Sequence, residues 1–125
     1  MSKDDFIKLG GSWKYFSDRI VNFRSILGGF YKKEQLLEVY GLKKDFYNKV
    51  SELIKIDQKK IIKININFAE ESDLNKHPYI SYTDANKIIS YRNLSGSYKD
   101  LNQLTTNNLI SKDTFKKISP YLKVK

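Results

Sequence analysis

The chain has 125 residues, no cysteine, one histidine and a formal net charge of +9. Hydrophobic residues at 40% and aromatics at 14% exclude a disordered chain, and no run approaches the roughly 18–20 apolar residues of a membrane span. By length the chain holds one ordinary domain or two very small ones.

The positive charge is spread evenly. Residues 1–60 carry 13 Lys/Arg against 8 Asp/Glu, and residues 61–125 carry 10 against 6. Such a surface favours a polyanion, either nucleic acid or an acidic membrane. The competing reading is an ordinary solvated surface in a Lys-, Ile- and Asn-rich proteome. The opening Met1-Ser2-Lys3-Asp4-Asp5 shows no signal-peptide pattern, and the absence of cysteine fits any compartment.

In chain order, a first short helix is expected at Asp4–Leu9. Trp13, Phe16, Ile20, Phe23 and Leu27 then step by three or four residues, one face of a longer helix. Gly28-Gly29 ends it, since glycine accepts a left-handed cap. A short helix around Lys33–Val39, a turn at Gly41, and an apolar stripe of Phe46, Val50, Leu53 and Ile54 follow. Asp57 is placed to cap a single turn. Ile62, Ile64 and Ile66 alternate with polar residues, which predicts a short extended segment. Beyond it, helices are expected at Ala69–Lys76 (capped by Asn67), at Tyr82–Leu94 (started by the Ser81-Tyr82-Thr83-Asp84 box and broken at Gly96), near Leu101–Thr105 and near Lys112–Ser119.

Sliding the sequence on itself by 68 residues aligns it without a gap. Identities include Ile20/Ile88, Arg24/Arg92, Gly28/Gly96, Gln35/Gln103, Leu36/Leu104, Lys44/Lys112 and Asp45/Asp113, with similar pairs at Phe23/Tyr91, Phe30/Tyr98, Leu42/Ile110, Tyr47/Phe115 and Val50/Ile118. The expectation is an all-α fold of two tandem units, residues 1–56 and 67–125, related by internal duplication and joined by a connector over 57–66.

The second copy, with ININFAEESDLNKHPYIS, NKIISYRNLSGSYKDLNQL and LISKDTFKKISPYL, resembles the helix-hairpin-helix domain of ComEA-type DNA-uptake proteins. The first copy carries the same frame in RIVNFRSILGGFYKKEQLLEVYGLKKDFYNKV. The resemblance implies a SAM-like helix-hairpin-helix fold, bacterial competence, and a place in the cell envelope or periplasm with a protein partner there. It also implies sequence-independent binding of double-stranded DNA. In that mechanism backbone amides of a Gly-aliphatic-Gly hairpin and of the following helix face a phosphate, the aliphatic residue plugs inward, and lysines add attraction.

Four hairpins map onto the chain, and none keeps the full glycine pattern. Gly11-Ser12-Trp13, followed by Lys14, keeps one glycine. Gly41-Leu42-Lys43, followed by Lys44, keeps one glycine and the plug. Tyr79-Ile80-Ser81, followed by Tyr82, keeps only the plug, as does Leu109-Ile110-Ser111, followed by Lys112. The DNA-binding candidates are therefore Gly41, Leu42, Lys43 and Lys44 foremost, then Gly11, Ser12, Lys14, Ser81, Tyr82, Ser111 and Lys112. The lost glycines leave a second reading open: a structural or protein-interaction module that keeps the frame without the DNA.

Other conspicuous residues read as structural. His77, before Pro78, is a turn residue at a helix end. Arg24 and Arg92, which match the family's Tyr-Arg, read as braces for a neighbouring loop, with a phosphate contact as the alternative. Trp13 is a core residue at a helix start, and Glu70-Glu71 suit a first helical turn. Phosphate-loop, metal and nucleophile motifs are lacking. Helix-hairpin-helix glycosylases need a much larger two-domain body. The expectation is a non-enzymatic chain without a cofactor.

Overall fold

The computed structural model describes the backbone of residues 11–125 and the side chains of residues 16–125. The expected helix at Asp4–Leu9 and the side chain of Trp13 lie outside the described residues. Contacts divide the chain into two compact units at Ile61/Ile62, so the segment 57–66, expected as a connector, is shared between them.

The first unit is built on helix α1, Gly11–Leu27. Its three-and-four spacing buries Ile20 and Leu27 and half-buries Phe16 and Phe23. The helix ends in a Schellman motif: the Gly29 amide reaches back to Arg24 O at 2.9 Å and the Gly28 amide to Ser25 O at 3.3 Å. Gly28, the residue that this closure holds left-handed, has φ 89°, and Gly29 is also at positive φ, 118°. Phe30 then folds back to within 6.2 Å of Phe23. A 3₁₀ turn follows at Lys33–Glu38. It is fixed by Gln35, whose side-chain oxygen accepts from the amides of Tyr31 and Lys32 at 2.5 and 2.9 Å. Helix α2, Lys44–Ser51, buries Val50, and Lys33 Nζ donates to its last carbonyl, Ser51 O, at 2.9 Å. Leu53, expected on this stripe, is instead 48% exposed, because α2 stops at Ser51 and the helical period no longer carries it inward. Asp57 caps the single 3₁₀ turn Gln58–Lys60, accepting from the Lys59 amide.

The second unit opens with strand β1, Ile64–Asn65, and closes with β2, Leu122–Lys123, paired in parallel with Ile64 opposite Leu122. The alternation is only half realised: Ile66 is fully buried, whereas Ile62 is exposed. Between the strands lie α3 (Glu71–Asn75), α4 (Tyr82–Ser95), α5 (Gln103–Thr106), α6 (Lys112–Ile118) and a 3₁₀ turn at Ser119–Tyr121. Their shared core includes Leu74, Ala85, Ile88, Leu104, Ile118 and Tyr121.

Asn67 does not cap a helix. Helix α3 starts later, behind Glu70, whose amide donates to the Asp73 carboxylate at 2.9 Å. Asn67 instead ties three segments together. Its side-chain nitrogen donates to Tyr98 O and Val124 O, each at 2.9 Å, and its oxygen accepts from the Tyr98 amide. Arg92 braces the same segment, with one guanidinium nitrogen donating to Ile66 O at 2.9 Å and Ala69 O at 2.7 Å. His77 is buried, its ring 4.8 Å from that of Tyr121.

Several details recur 68 residues apart. Gln103 accepts from the amides of Lys99 and Asp100, as Gln35 does from Tyr31 and Lys32. Tyr91 and Tyr98 stack at 5.4 Å, matching Phe23 and Phe30. Leu36 and Leu104 are both fully buried.

Ile80 is 4% exposed and Ile110 7%, although each sits in a turn. Ile80→Asp should destabilise the protein by about 2–4 kcal/mol, because it buries an unpaired charge. Urea unfolding checks this, and an unchanged midpoint would mean that Ile80 is not a plug. Tyr98 gives a pH signature. Burial, then the neighbouring Tyr91, outweigh Arg92 and push its phenol from 10.0 up to about 12, with the hydroxyl donating to Ile88 O at 2.6 Å. The unfolded chain therefore loses this proton before the folded one does. Its stabilising effect is complete below pH 10 and is lost as the pH climbs from 10 towards 12. Tyr98→Phe should flatten that fall, measured as the urea midpoint against pH.

Candidate nucleic-acid interface

Each described hairpin buries one aliphatic residue and is followed by a helix whose first two residues are exposed. At the first, Val39-Tyr40-Gly41-Leu42 form a turn closed by the Leu42 amide on Val39 O at 3.1 Å. Gly41 has φ +81°, as the third residue of a type II turn requires. Leu42 is the buried plug, at 8% exposure. Its amide is spent inside the turn, so the outward set begins at Lys43, one residue later than a set that includes Leu42. Lys43 and Lys44 are exposed. Lys43 holds the N-cap position of α2 in an extended conformation and offers no side-chain acceptor to the first turn. The amides of Lys44 and Asp45 have no acceptor among the described residues.

The second and third described hairpins satisfy themselves differently. The Ile80 amide bonds to His77 O at 3.1 Å across a turn with Pro78 at its second position, and no residue in it has positive φ. The glycine absent at Tyr79 is therefore not needed there. At the last hairpin the left-handed residue is Asn108, φ 57°, a residue type that tolerates this region. Leu109 and Ile110 both donate to Leu104 O. Ser81 and Ser111 then cap α4 and α6: their hydroxyls accept from the amides of Asp84 at 3.0 Å and Thr114 at 3.1 Å. Ser81, Tyr82, Ser111 and Lys112 are exposed, but one amide in each first turn is already taken by the serine.

Gly11, Ser12 and Lys14 do not form a turn. They lie in the helical backbone of α1, and their side chains and the residues before them are outside the described set.

The Gly41 turn also gathers residues that sequence reasoning missed. Arg19 donates from one guanidinium nitrogen to Tyr40 O at 3.1 Å and lies 5.4 Å from the centre of the Tyr40 ring. Phe16 and Phe46 pack with centroids 5.3 Å apart, flanking an open groove lined also by Gly41, Lys43, Asp45 and Lys49. Here the two lysine charges of Lys43 and Lys49 outnumber the single carboxylate of Asp45. The Tyr40-Gly41 pair was a signal for a residue at a turn corner, but no spacing rule links it to Arg19.

Among the described residues no group of three or more His, Cys, Asp or Glu is placed to hold a metal ion, and no helix is long and apolar enough to cross a membrane.

Short helices joined by turns that each bury one aliphatic residue, with exposed residues at the helix starts, make up the described frame. Residues 59–123, slightly more than half of the chain, match a family described as helix-hairpin-helix motif, and the protein belongs to that family. Neither the curated proteins nor the solved structures contain a significant match. The motif is generally associated with nucleic-acid binding.

Gly41→Ala should cost roughly 1–2 kcal/mol, the penalty of a left-handed backbone with a side chain. An added Cβ would meet Arg19 and Phe16 only at an ordinary 3.5 Å, so conformation and not crowding is responsible. A urea midpoint unaffected by this change would contradict the type II turn.

Proposed function

We propose that the protein is a non-enzymatic, sequence-independent binder of double-stranded DNA that grips backbone phosphates at Gly41–Lys44, as in ComEA-type DNA-uptake proteins. The observation that carries this reading is the uncapped start of α2. There the amides of Lys44 and Asp45 have no acceptor among the described residues, beside the exposed pair Lys43 and Lys44. Unpaired amides and the helix dipole favour an anion at that place, and the lysines release counterions from the duplex when they neutralise phosphates. Nothing in this arrangement reads a base edge, so binding is indifferent to sequence.

The proposal includes an origin by tandem duplication with an offset of 68 residues. It is supported by the paired identities and by the recurring Gln35/Gln103 and Phe23–Phe30/Tyr91–Tyr98 contacts. Residence in the bacterial cell envelope, with a protein partner there, belongs to the same proposal through the resemblance to DNA-uptake proteins. A second reading, a protein-interaction module without DNA, is favoured for the last two hairpins by one specific observation: Ser81 and Ser111 each occupy one amide of the helix start, that of Asp84 and of Thr114, leaving fewer for an anion.

Fluorescence anisotropy with two unrelated duplexes tests the proposal. Both should bind weakly and equally. With two or three phosphates neutralised, a fourfold rise in salt should lower affinity roughly 10- to 40-fold. The double variant Lys43→Glu/Lys44→Glu should lose binding while its melting temperature stays unchanged. Equal, salt-insensitive binding by parent and variant would overturn the phosphate mechanism, and no binding at low salt would favour the interaction module.

A further inference from the structure

Tyr40 is 84% exposed and, of the three described hairpins, stands at the corner of the one whose following helix lacks a side-chain cap. An exposed tyrosine alone means little, but this one is held. Arg19 covers one face of the ring at 5.4 Å and bonds to the Tyr40 carbonyl at 3.1 Å, so the ring is oriented while most of its surface stays in water. The tyrosine of the next hairpin is treated differently. Tyr79 is half-buried and packs on His77 at 5.2 Å and on Tyr121 at 6.2 Å.

Beside Tyr40 the Phe16–Phe46 pair borders an open groove of about 310 Å³, rimmed by Lys43 and Lys49. That is the low end of the range for small-ligand sites, room for a single ring system and not for a double helix. Aromatic faces interleaved with lysines are the pattern with which proteins hold unpaired nucleotides: each base stacks on a ring while its phosphate is neutralised alongside. Arginine stacked on the far face adds to the attraction.

We propose that this hairpin is also a stacking site for unpaired bases, with Tyr40 as the platform and the phosphate held at Lys43 and Lys44. The preferred ligand is then DNA in which a single-stranded stretch adjoins duplex. This rests on the phosphate-binding reading above and names the DNA structure that the same site selects. Duplex alone presents stacked bases that Tyr40 cannot reach, so it is bound through the backbone only. An unpaired base next to the held phosphate adds one stacking contact.

The test uses the full chain and three labelled probes: an intact duplex, the same duplex with a single-stranded gap, and that gapped duplex with abasic positions in the gap. Stacking of one base predicts that the gapped duplex binds roughly 5- to 150-fold more tightly than the intact one. The abasic gap should return affinity to the duplex level. Tyr40→Ala should erase the preference without altering duplex binding, and Tyr40→Phe should keep it. Lys43→Glu/Lys44→Glu should weaken all three. Equal affinity for gapped and intact duplex, or a Tyr40→Ala loss that falls on both alike, would overturn the stacking site and leave phosphate binding standing. Absence of binding to any probe would overturn both.

Discussion

The fold turns on one constraint: a chain reversing between two helices must bury an aliphatic residue in the turn itself. Leu42, Ile80 and Ile110 do this at 8%, 4% and 7% exposure. Pinning that residue inward fixes where the next helix begins and leaves the residues after the plug exposed. It also commits the plug's own amide to the turn, on Val39, His77 and Leu104 respectively. The exposed helix start is thus a by-product of core packing, which is why the frame persists where the glycines do not.

The three turns reach the same end by different chemistry. Gly41 supplies a left-handed residue at φ +81°. The His77–Ile80 turn uses Pro78 and needs no positive φ, and Asn108 takes the left-handed position in the last turn. Substituting glycine is therefore not equivalent to losing the hairpin. What differs is the helix that follows. Serine caps saturate an amide of α4 and α6, whereas Lys43 gives α2 positive charge and no acceptor. The two units carry similar net charge, yet their helix starts offer an anion different terms.

Much of the fold was legible in the sequence, because it rests on local rules. The three-and-four spacing of Ile20 and Leu27, the Gly28-Gly29 stop and the Ser81 cap all act within a few residues. The plugs stood out as aliphatic residues among polar or aromatic turn neighbours. Long-range polar contacts were not legible. Asn67 looks like a helix cap from its neighbours, but its partners Tyr98 and Val124 lie 31 and 57 residues away. The same holds for Arg19, whose contact with Tyr40 spans 21 residues. Leu53 and Ile62 fit apolar patterns locally and are exposed, since a periodicity continues past the end of an element at no visible cost. At the candidate site, Gly41–Lys44 is proposed through the family resemblance, while the aromatic groove beside it required the folded chain.

The central claim is that an anion binds at the start of α2 in preference to the other described helix starts. Amide-resolved NMR of the isotopically labelled full chain, titrated with a short duplex at low salt, tests it most directly. The account predicts the largest shifts at the amides of Lys43, Lys44 and Asp45, with smaller ones at Ser81–Asp84 and Ser111–Thr114. Shifts concentrated at the serine-capped helix starts, with Lys43–Asp45 unmoved, would contradict it.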